Sequence, residues 1–579
     1  MSKVRNAGVI ILFLVMAPAI AQQSFGHWPP REFLLKSLVA AVPNYLDSFH
    51  QDTGRFGAEP WICQDQNVIF PLAAAWAIED PSNPWFHKQE LLDVIAKAGE
   101  VLTKEMDSKG KWTFRKKDNS TWGQIHMPWT YSRWIRAYQL VRDALPTAAR
   151  ESWEKGLMLG FSGIRACAGG NLHNIPTHHA MALYIAGICF ENDDWKQAAK
   201  SYMARVVAAQ DPAGFWTEHA GPVVGYNLVY IDALGVYYHF SKDPLVLGAL
   251  TRSAQFHASV LWPNGSSVPA IDERQIYHDG VNIGNVGFSW TPEGRGFLLK
   301  QVAAFSHDAG KTVDADYAAS MLLYGGSGDA KFPPADQDVA TVIIGDNKAL
   351  IQRKKPWQWA LSAYACKPSD SRWIQDRQNF LDIYHDALGL VVGGGNTKLQ
   401  PYWSTFTVGN PALLKHVPGD ADPNFVPAID LKWMPDEASL THENTRSSLS
   451  LKYGDIECQV SLSVNDNQSL SVTCHAPKGR GVEAHVPLLY RAPEFTTAPG
   501  KSIPLTEEDL LLESDALGNF IIYDDLKITI PPTARLRWPA RQHNPYKKDG
   551  SSSLEAAKLV IVLPFDSIEE YTLTMSINR

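Results

Sequence analysis

The chain has 579 residues, a formal charge of −8 and 45% hydrophobic residues. This acidic balance disfavours nucleic acid as a partner but leaves room for an anionic sugar polymer, because a cleft can be locally basic on an acidic protein. Six cysteines are too few for a disulfide scaffold in so long a chain, and the 19 Trp, 20 Tyr and 23 Phe supply a large core and flat faces against which sugar rings pack.

The amino terminus reads as a targeting segment. Lys3 and Arg5 precede an apolar run at 9–16, and Ala19-Ile20-Ala21 forms a small-x-small cleavage site. The expected signal peptide is 1–21, and no Cys follows the run as it would in a bacterial lipoprotein. Later stretches fall short of the roughly 20 unbroken apolar residues of a membrane span. The expected location is periplasmic or secreted. Removing the segment leaves enough chain for two large domains and moves the charge to about −10.

From 30 to 324 apolar residues recur with helical spacing, for example over 31–49, 67–80, 87–106, 127–145, 195–210 and 243–261. Pro, Gly, Asn or Asp bounds each segment. Short connections predict a helical toroid or a solenoid, and the lack of a fixed-period repeat weakens the solenoid. No strand run stands out between these helices. A Gly/Pro-rich stretch marks a linker, placed at 326–340. Beyond it come short β-branched runs, among them 339–345, 357–365, 456–464 and 558–565. The predicted fold is α+β and multidomain: an N-terminal (α/α) incomplete toroid over 22–325, then a C-terminal antiparallel β-sandwich over 341–579.

One hairpin carries a register expectation. With its turn at Asn465-Asp466-Asn467, pairing Val464 with Gln468 puts Cys458 opposite Cys474, within disulfide reach.

Polar residues crowd several predicted helix entrances. Residues 171–179 hold Asn171, His173, Asn174, His178 and His179, with Pro176 and Thr177 as the expected helix start and Thr177 as its cap. His173 and His178 are candidate metal ligands. The adjacent His178 and His179, however, point about 100° apart on a helix, and no spaced ligand motif accompanies them. A second stretch makes a Gly-centred turn at 211–214, presents Glu218 and His219, and opens a helix near Pro222 that carries Tyr226, Tyr230 and Tyr237 on one face. A third, 269–290, holds Asp272, Glu273, Arg274, Tyr277, His278 and Asp279 in a long loop. Gln124 and His126 belong to a similar cluster, and Tyr384 and His385 fall near the domain junction. The basic loop at 534–550 contains Arg535, Arg537, Arg541, His543, Lys547 and Lys548 beside Trp538 and Tyr546. It is either a solvated loop or a grip on an anionic chain.

A helical toroid followed by an antiparallel β-domain, the N-x-H-N entrance at Asn171–Asn174 with Ala180, Leu183, Tyr184 and Gly187 behind it, and a Gly turn leading to Glu218-His219 and a Tyr-bearing helix together resemble the polysaccharide lyases. The nearest types are heparinase II/III-like and chondroitin or alginate lyases. The turn here is Asp-Pro-Ala-Gly rather than the Asp-Gly-Ser/Gly of that family, and the His-to-Tyr spacing also departs from it.

The resemblance implies β-elimination on a uronic-acid polymer, and the residue types suit that chemistry. The proton on C5 is weakly acidic, so the carboxylate must be neutralised by hydrogen-bond donors while a base takes the proton and an acid protonates the leaving oxygen. The expected catalytic residues are Tyr226, His219, Asn174, His173 and Asn171. Expected substrate contacts are Arg274, Glu218, Tyr230, His278, Gln124, His126 and Tyr384. No metal or cofactor is called for, and the expected partner is an anionic polysaccharide. Two rivals stand beside this reading: a glycoside hydrolase using Glu218 with Asp272, Glu273 or Asp279, and a noncatalytic glycan-binding protein.

Overall fold

The computed structural model describes residues 27–274, 280–305, 311–415, 423–443, 446–465 and 469–578. The expected signal peptide, Tyr277, His278, Asp279 and the hairpin residues Asp466 and Asn467 lie outside the described residues.

The helical half contains α1 (Arg31–Asp47), α2 (Ile69–Ala77), α3 (Gln89–Glu105), α4 (Pro128–Val141), α5 (Thr147–Cys167), α6 (Asn174–Cys189), α7 (Asp193–Ala208), α8 (Val224–Ser241), α9 (Pro244–Ser259), α10 (Pro292–Phe305) and α11 (Ala315–Tyr324). Two sequence types sort these helices into two rings. In α2 every residue from Ile69 to Trp76 is buried, and α6 and α8 are buried on most sides. Helices apolar all round belong inside. By contrast α3 and α7 each bury one stripe, Leu91, Leu92, Ile95 and Leu102 in the first and Trp195, Ala199, Tyr202 and Met203 in the second. Helices α2, α4, α6 and α8 accordingly pack side by side, α11 returns against α1 and α2, and α3, α5, α7 and α9 lie outside.

The helical half is not free of strands. Trp112–Arg115 and Thr121–Ile125 form a hairpin ahead of α4, turning through Asn119 at φ 67. The second strand is almost wholly exposed, so it carries too little apolar alternation to be read from sequence. The start of α6 also differs from expectation. The residue flanking the helix is His173, and Thr177 lies inside the first turn with its hydroxyl on the His173 carbonyl at 2.9 Å.

After Tyr324 come two large antiparallel sheets. One runs from Leu510–Glu513 through Lys558–Pro564, Val482–Leu489 and Trp357–Ser362 to Val339–Ile344; the other contains Arg446–Tyr453, Ile456–Val464, Ser469–His475 and Glu570–Ile577. Their inner faces share a core in which Trp357, Trp359 and Ile383 meet Leu449, Val460 and Leu573.

The cysteine register differs from the expectation by two residues. Cys474 pairs with Val460, while Cys458 pairs with Leu451 of the other neighbouring strand. Both thiols are free and buried, and burial pushes each up to about 12. Period-two alternation places both on the same face, as expected, but Val464 pairs with Leu470, which shifts the register.

Candidate active site

Two loops and a Gly turn set the entrance of α8. Asp211 Oδ1 accepts the Ala213 N–H at 2.8 Å and the Asp211 carbonyl accepts the Gly214 N–H at 2.8 Å. Gly214 has φ 101, and a Cβ there would strike the Arg252 backbone, so only Gly fits. The chain after the turn is pinned to the helix by Asn227, whose side chain accepts the Trp216 N–H at 2.7 Å and donates to the Trp216 carbonyl at 3.1 Å. Asp272 then joins the second loop to the helix: Oδ2 accepts the Val224 N–H at 2.9 Å and Oδ1 the Arg274 N–H at 2.8 Å.

The β-domain holds this loop from behind. Buried Arg377 donates to the Ile271 and Pro222 carbonyls, each at 3.1 Å, and Asn396 donates to the Asp272 carbonyl at 3.0 Å. Arg274 therefore emerges from a loop fixed by both domains.

Its guanidinium reaches Tyr226. Nη1 donates to the phenol oxygen at 2.6 Å, and the cation lies 4.8 Å from the ring centre. Tyr226 is half-buried at the mouth of a pocket of about 280 Å³ that Val223, Gly225, Val229 and Tyr546 also line. Gly225 and Val229 line a second pocket as well, of about 350 Å³, with Trp129, Arg133, His178 and Asp232. The two pockets form one cleft over the start of α8. Residues near the N-terminal ends of α4, α6, α8 and α11 line it, and helix N-termini favour bound negative charge.

Glu218, His219 and Tyr230 stand beside this pair. Tyr230 donates to Glu218 Oε1 at 3.4 Å and stacks on Trp216 at 4.9 Å; burial, and then Glu218, push its phenol up. His219 is at the surface with φ 62. Partial burial lowers its pKa; Glu218 opposes that shift and Arg274 adds to it.

The entrance of α6 lies one helix away. Tyr202 donates to the Asn171 carbonyl at 3.1 Å and is within electrostatic reach of Tyr230. The His173 ring is hydrogen-bonded to the Asn174 side chain, and its pKa is lowered chiefly by burial. Asn171, His173 and Asn174 line neither pocket. The other expected residues are placed apart. The His126 ring meets the Lys109 carbonyl at 3.0 Å, and Gln124 donates across its hairpin to Thr113 at 2.8 Å. Tyr384 is a correction: it is 3% exposed and stacked on Trp262 at 5.3 Å inside the interdomain core, out of a ligand's reach.

Trp129 and Arg133 were not singled out from sequence, whereas Tyr546 belongs to the basic loop read there as either solvated or a grip on an anionic chain. Trp129 meets His178 edge-on at 4.7 Å, and Arg133 grips Asp316 with two nitrogens, at 2.6 and 3.2 Å. Tyr546 reaches the cleft from the β-domain beside Trp373, 5.5 Å away. Among the described residues no three His, Cys, Asp or Glu side chains converge as a metal-ligand set. Nor is any described helix long and apolar enough to cross a membrane.

No family model and no curated protein sequence matches the chain. Solved structures do. A chondroitinase AC lyase aligns at 9% identity over 95% of this chain and 83% of its own, with a TM-score of 0.54. The chain has a polysaccharide-lyase fold. Heparinase III aligns at 12% identity over 94% of this chain and 85% of its own, with a TM-score of 0.53. A chondroitin AC lyase variant from Streptomyces coelicolor A3 gives 12% identity, coverage of 95% and 80%, and a TM-score of 0.52. At such identities the lyase fold is what is shared.

Proposed function

We propose that the protein is a secreted or periplasmic polysaccharide lyase that cleaves a uronic-acid polymer by β-elimination at the α8 entrance. The observation that carries this reading is the 2.6 Å hydrogen bond from Arg274 to the Tyr226 oxygen at the mouth of a cleft. A guanidinium in that place stabilises negative charge as it builds on the phenol oxygen. Tyr226 takes the C5 proton of the uronate and returns it to the O4 of the departing sugar; the C5–H and C4–O bonds break and a C4–C5 double bond forms. His219, with its lowered pKa, is neutral at neutral pH and is the alternative acceptor for the C5 proton. Donors to the uronate carboxylate are expected from the entrance of α6, where Asn174, His173 and Asn171 lie one helix from Tyr226 and outside the two pockets. Tyr546 and Trp373 offer flat faces to the chain on the β-domain side.

A hydrolase would need a second carboxylate beside Glu218. Asp272 holds two backbone N–H groups, and Glu273 is wholly buried on the Ala220 N–H and beside Arg377, so neither is placed for that role. The test is a screen of alginate, glucuronan, chondroitin and heparin for ultraviolet-absorbing product. At least one polymer is expected to yield it; depolymerisation without absorbance would refute the proposal.

A further inference from the structure

The basic loop at 541–552 serves two places. On one side Tyr546 faces the cleft. On the other, Gln542, Gly550, Ser551 and Ser552 line a separate cavity of about 430 Å³ inside the β-domain, within the roughly 300–1,000 Å³ range of small-ligand sites.

This cavity has unmet hydrogen-bonding capacity. Gln542 is 1% exposed, and neither its amide nitrogen nor its amide oxygen has a partner among the described residues. Burying both without a partner is costly, and an amide presents a donor and an acceptor to a sugar's hydroxyls. The Ser551 and Ser552 hydroxyls are alongside.

Its charge selects among sugars. Lys415, Arg537 and Arg541 face the carboxylates Glu507 and Asp509. Arg541 is paired with Glu507. Arg537 lies over the Tyr402 ring at 4.4 Å and makes no close ion pair among the described residues, its charge acting on Glu483. Three cations against two carboxylates suit one negative charge. A second anionic group on the same sugar would meet Glu507 and Asp509, whose like charge repels it.

We propose that this β-domain cavity is a second glycan site, which binds a single unsulfated hexuronate unit of the polymer through Arg537, Lys415 and Gln542. The site rests on the polyuronate reading of the cleft and extends it: loop 541–552 joins the two, so a chain released from the cleft stays held on the β-domain.

Equilibrium dialysis of the full protein with D-glucuronate, a monosaccharide with no bond to eliminate, tests the site. Wild type is expected to show two binding sites. Arg537→Ala and Lys415→Ala should each weaken one of them about tenfold or more, since hydrogen bonds to charged groups carry about that much affinity. Both should leave ultraviolet turnover of short oligomers unchanged and raise KM for long polymer several-fold. Lys415 is exposed, so its variant keeps the fold even if Arg537→Ala does not. Undiminished glucuronate binding in Lys415→Ala and a folded Arg537→Ala overturns the proposal. So does equal binding of glucose, or tighter binding of a sulfated glucuronate, at the Arg537-dependent site. Failure of the lyase reading looks different: no polyuronate yields absorbance, while Arg537-dependent glucuronate binding persists.

Discussion

At the entrance of α6 the histidine rings are tied to the backbone: His178 Nε2 meets the Val229 carbonyl at 3.0 Å and His179 Nε2 the His126 carbonyl at 2.7 Å. A carbonyl only accepts, so each Nε2 is assigned the proton. Burial first holds their pKa values at about 3 and about 4. At the entrance of α8 the corresponding polar groups turn outward. Tyr226 meets a side chain, Arg274, and both line an open pocket. Density of polar residues at a helix start therefore does not identify chemistry. A ring nitrogen on a fixed backbone carbonyl is architecture, whereas a phenol bonded to a cation at a cleft can exchange a proton with a ligand.

If that contrast holds, variants of ligand-facing and of backbone-bonded groups should fail in different ways. Asn174→Ala should slow turnover about 10²–10³-fold, the usual loss of a donor to a developing negative charge, while polymer binding changes far less; an unaltered rate would remove α6 from the chemistry. His179→Ala should lower stability by about 1–3 kcal/mol, because the His126 carbonyl loses its partner, with the folded fraction retaining activity to within a few-fold. Denaturant melts and rates on the same preparation separate the two effects.

The pH dependence of stability follows from the same rings. In the unfolded chain each histidine takes a proton below about pH 6.5; in the fold His178 and His179 stay neutral down to about 3 and about 4. The unfolded state thus binds more protons between those limits, and stability falls as pH falls through that window. Melting temperature measured from pH 7 to pH 4 should decline, and His179→Ala should decline less steeply. Chelation should have the smallest effect, leaving activity and melting temperature nearly unchanged. A loss of activity restored by zinc, manganese or calcium would return His173 and His178 to a metal site.

The fold was legible because burial imposes periodicity on the chain. Segments such as 69–77, apolar all round, and 89–105, apolar on one stripe, mark inner and outer helices by their apolar pattern alone. The strands after Val339 alternate for the same reason. The exposed hairpin ahead of α4 was not legible, because little of it is buried. The Cys458 register failed because alternation fixes the face of each residue but not the offset between the strands. At the site, Tyr226, His219, Glu218 and Arg274 could be found because they crowd two loops. Trp129 and Arg133 could not, since only the closing of the toroid brings them to the cleft; Tyr546 was legible as part of a basic loop, and the docking of the β-domain brings it to the cleft. Tyr384 misled for the opposite reason: its place near the domain junction is real, but it is inside the junction.

The central claim is that the Tyr226 oxygen carries the proton in an elimination. The most direct measurement is the rate of ultraviolet-absorbing ends formed per new reducing end, on a responsive polyuronate, for wild type, Tyr226→Phe and Tyr230→Phe. Wild type should form one double bond per new end. Tyr226→Phe, which keeps the ring, should lose about 10²–10⁴-fold in rate while still binding polymer, and Tyr230→Phe should remain active. New reducing ends without absorbance, or a fully active Tyr226→Phe beside an inactive Tyr230→Phe, would contradict the account.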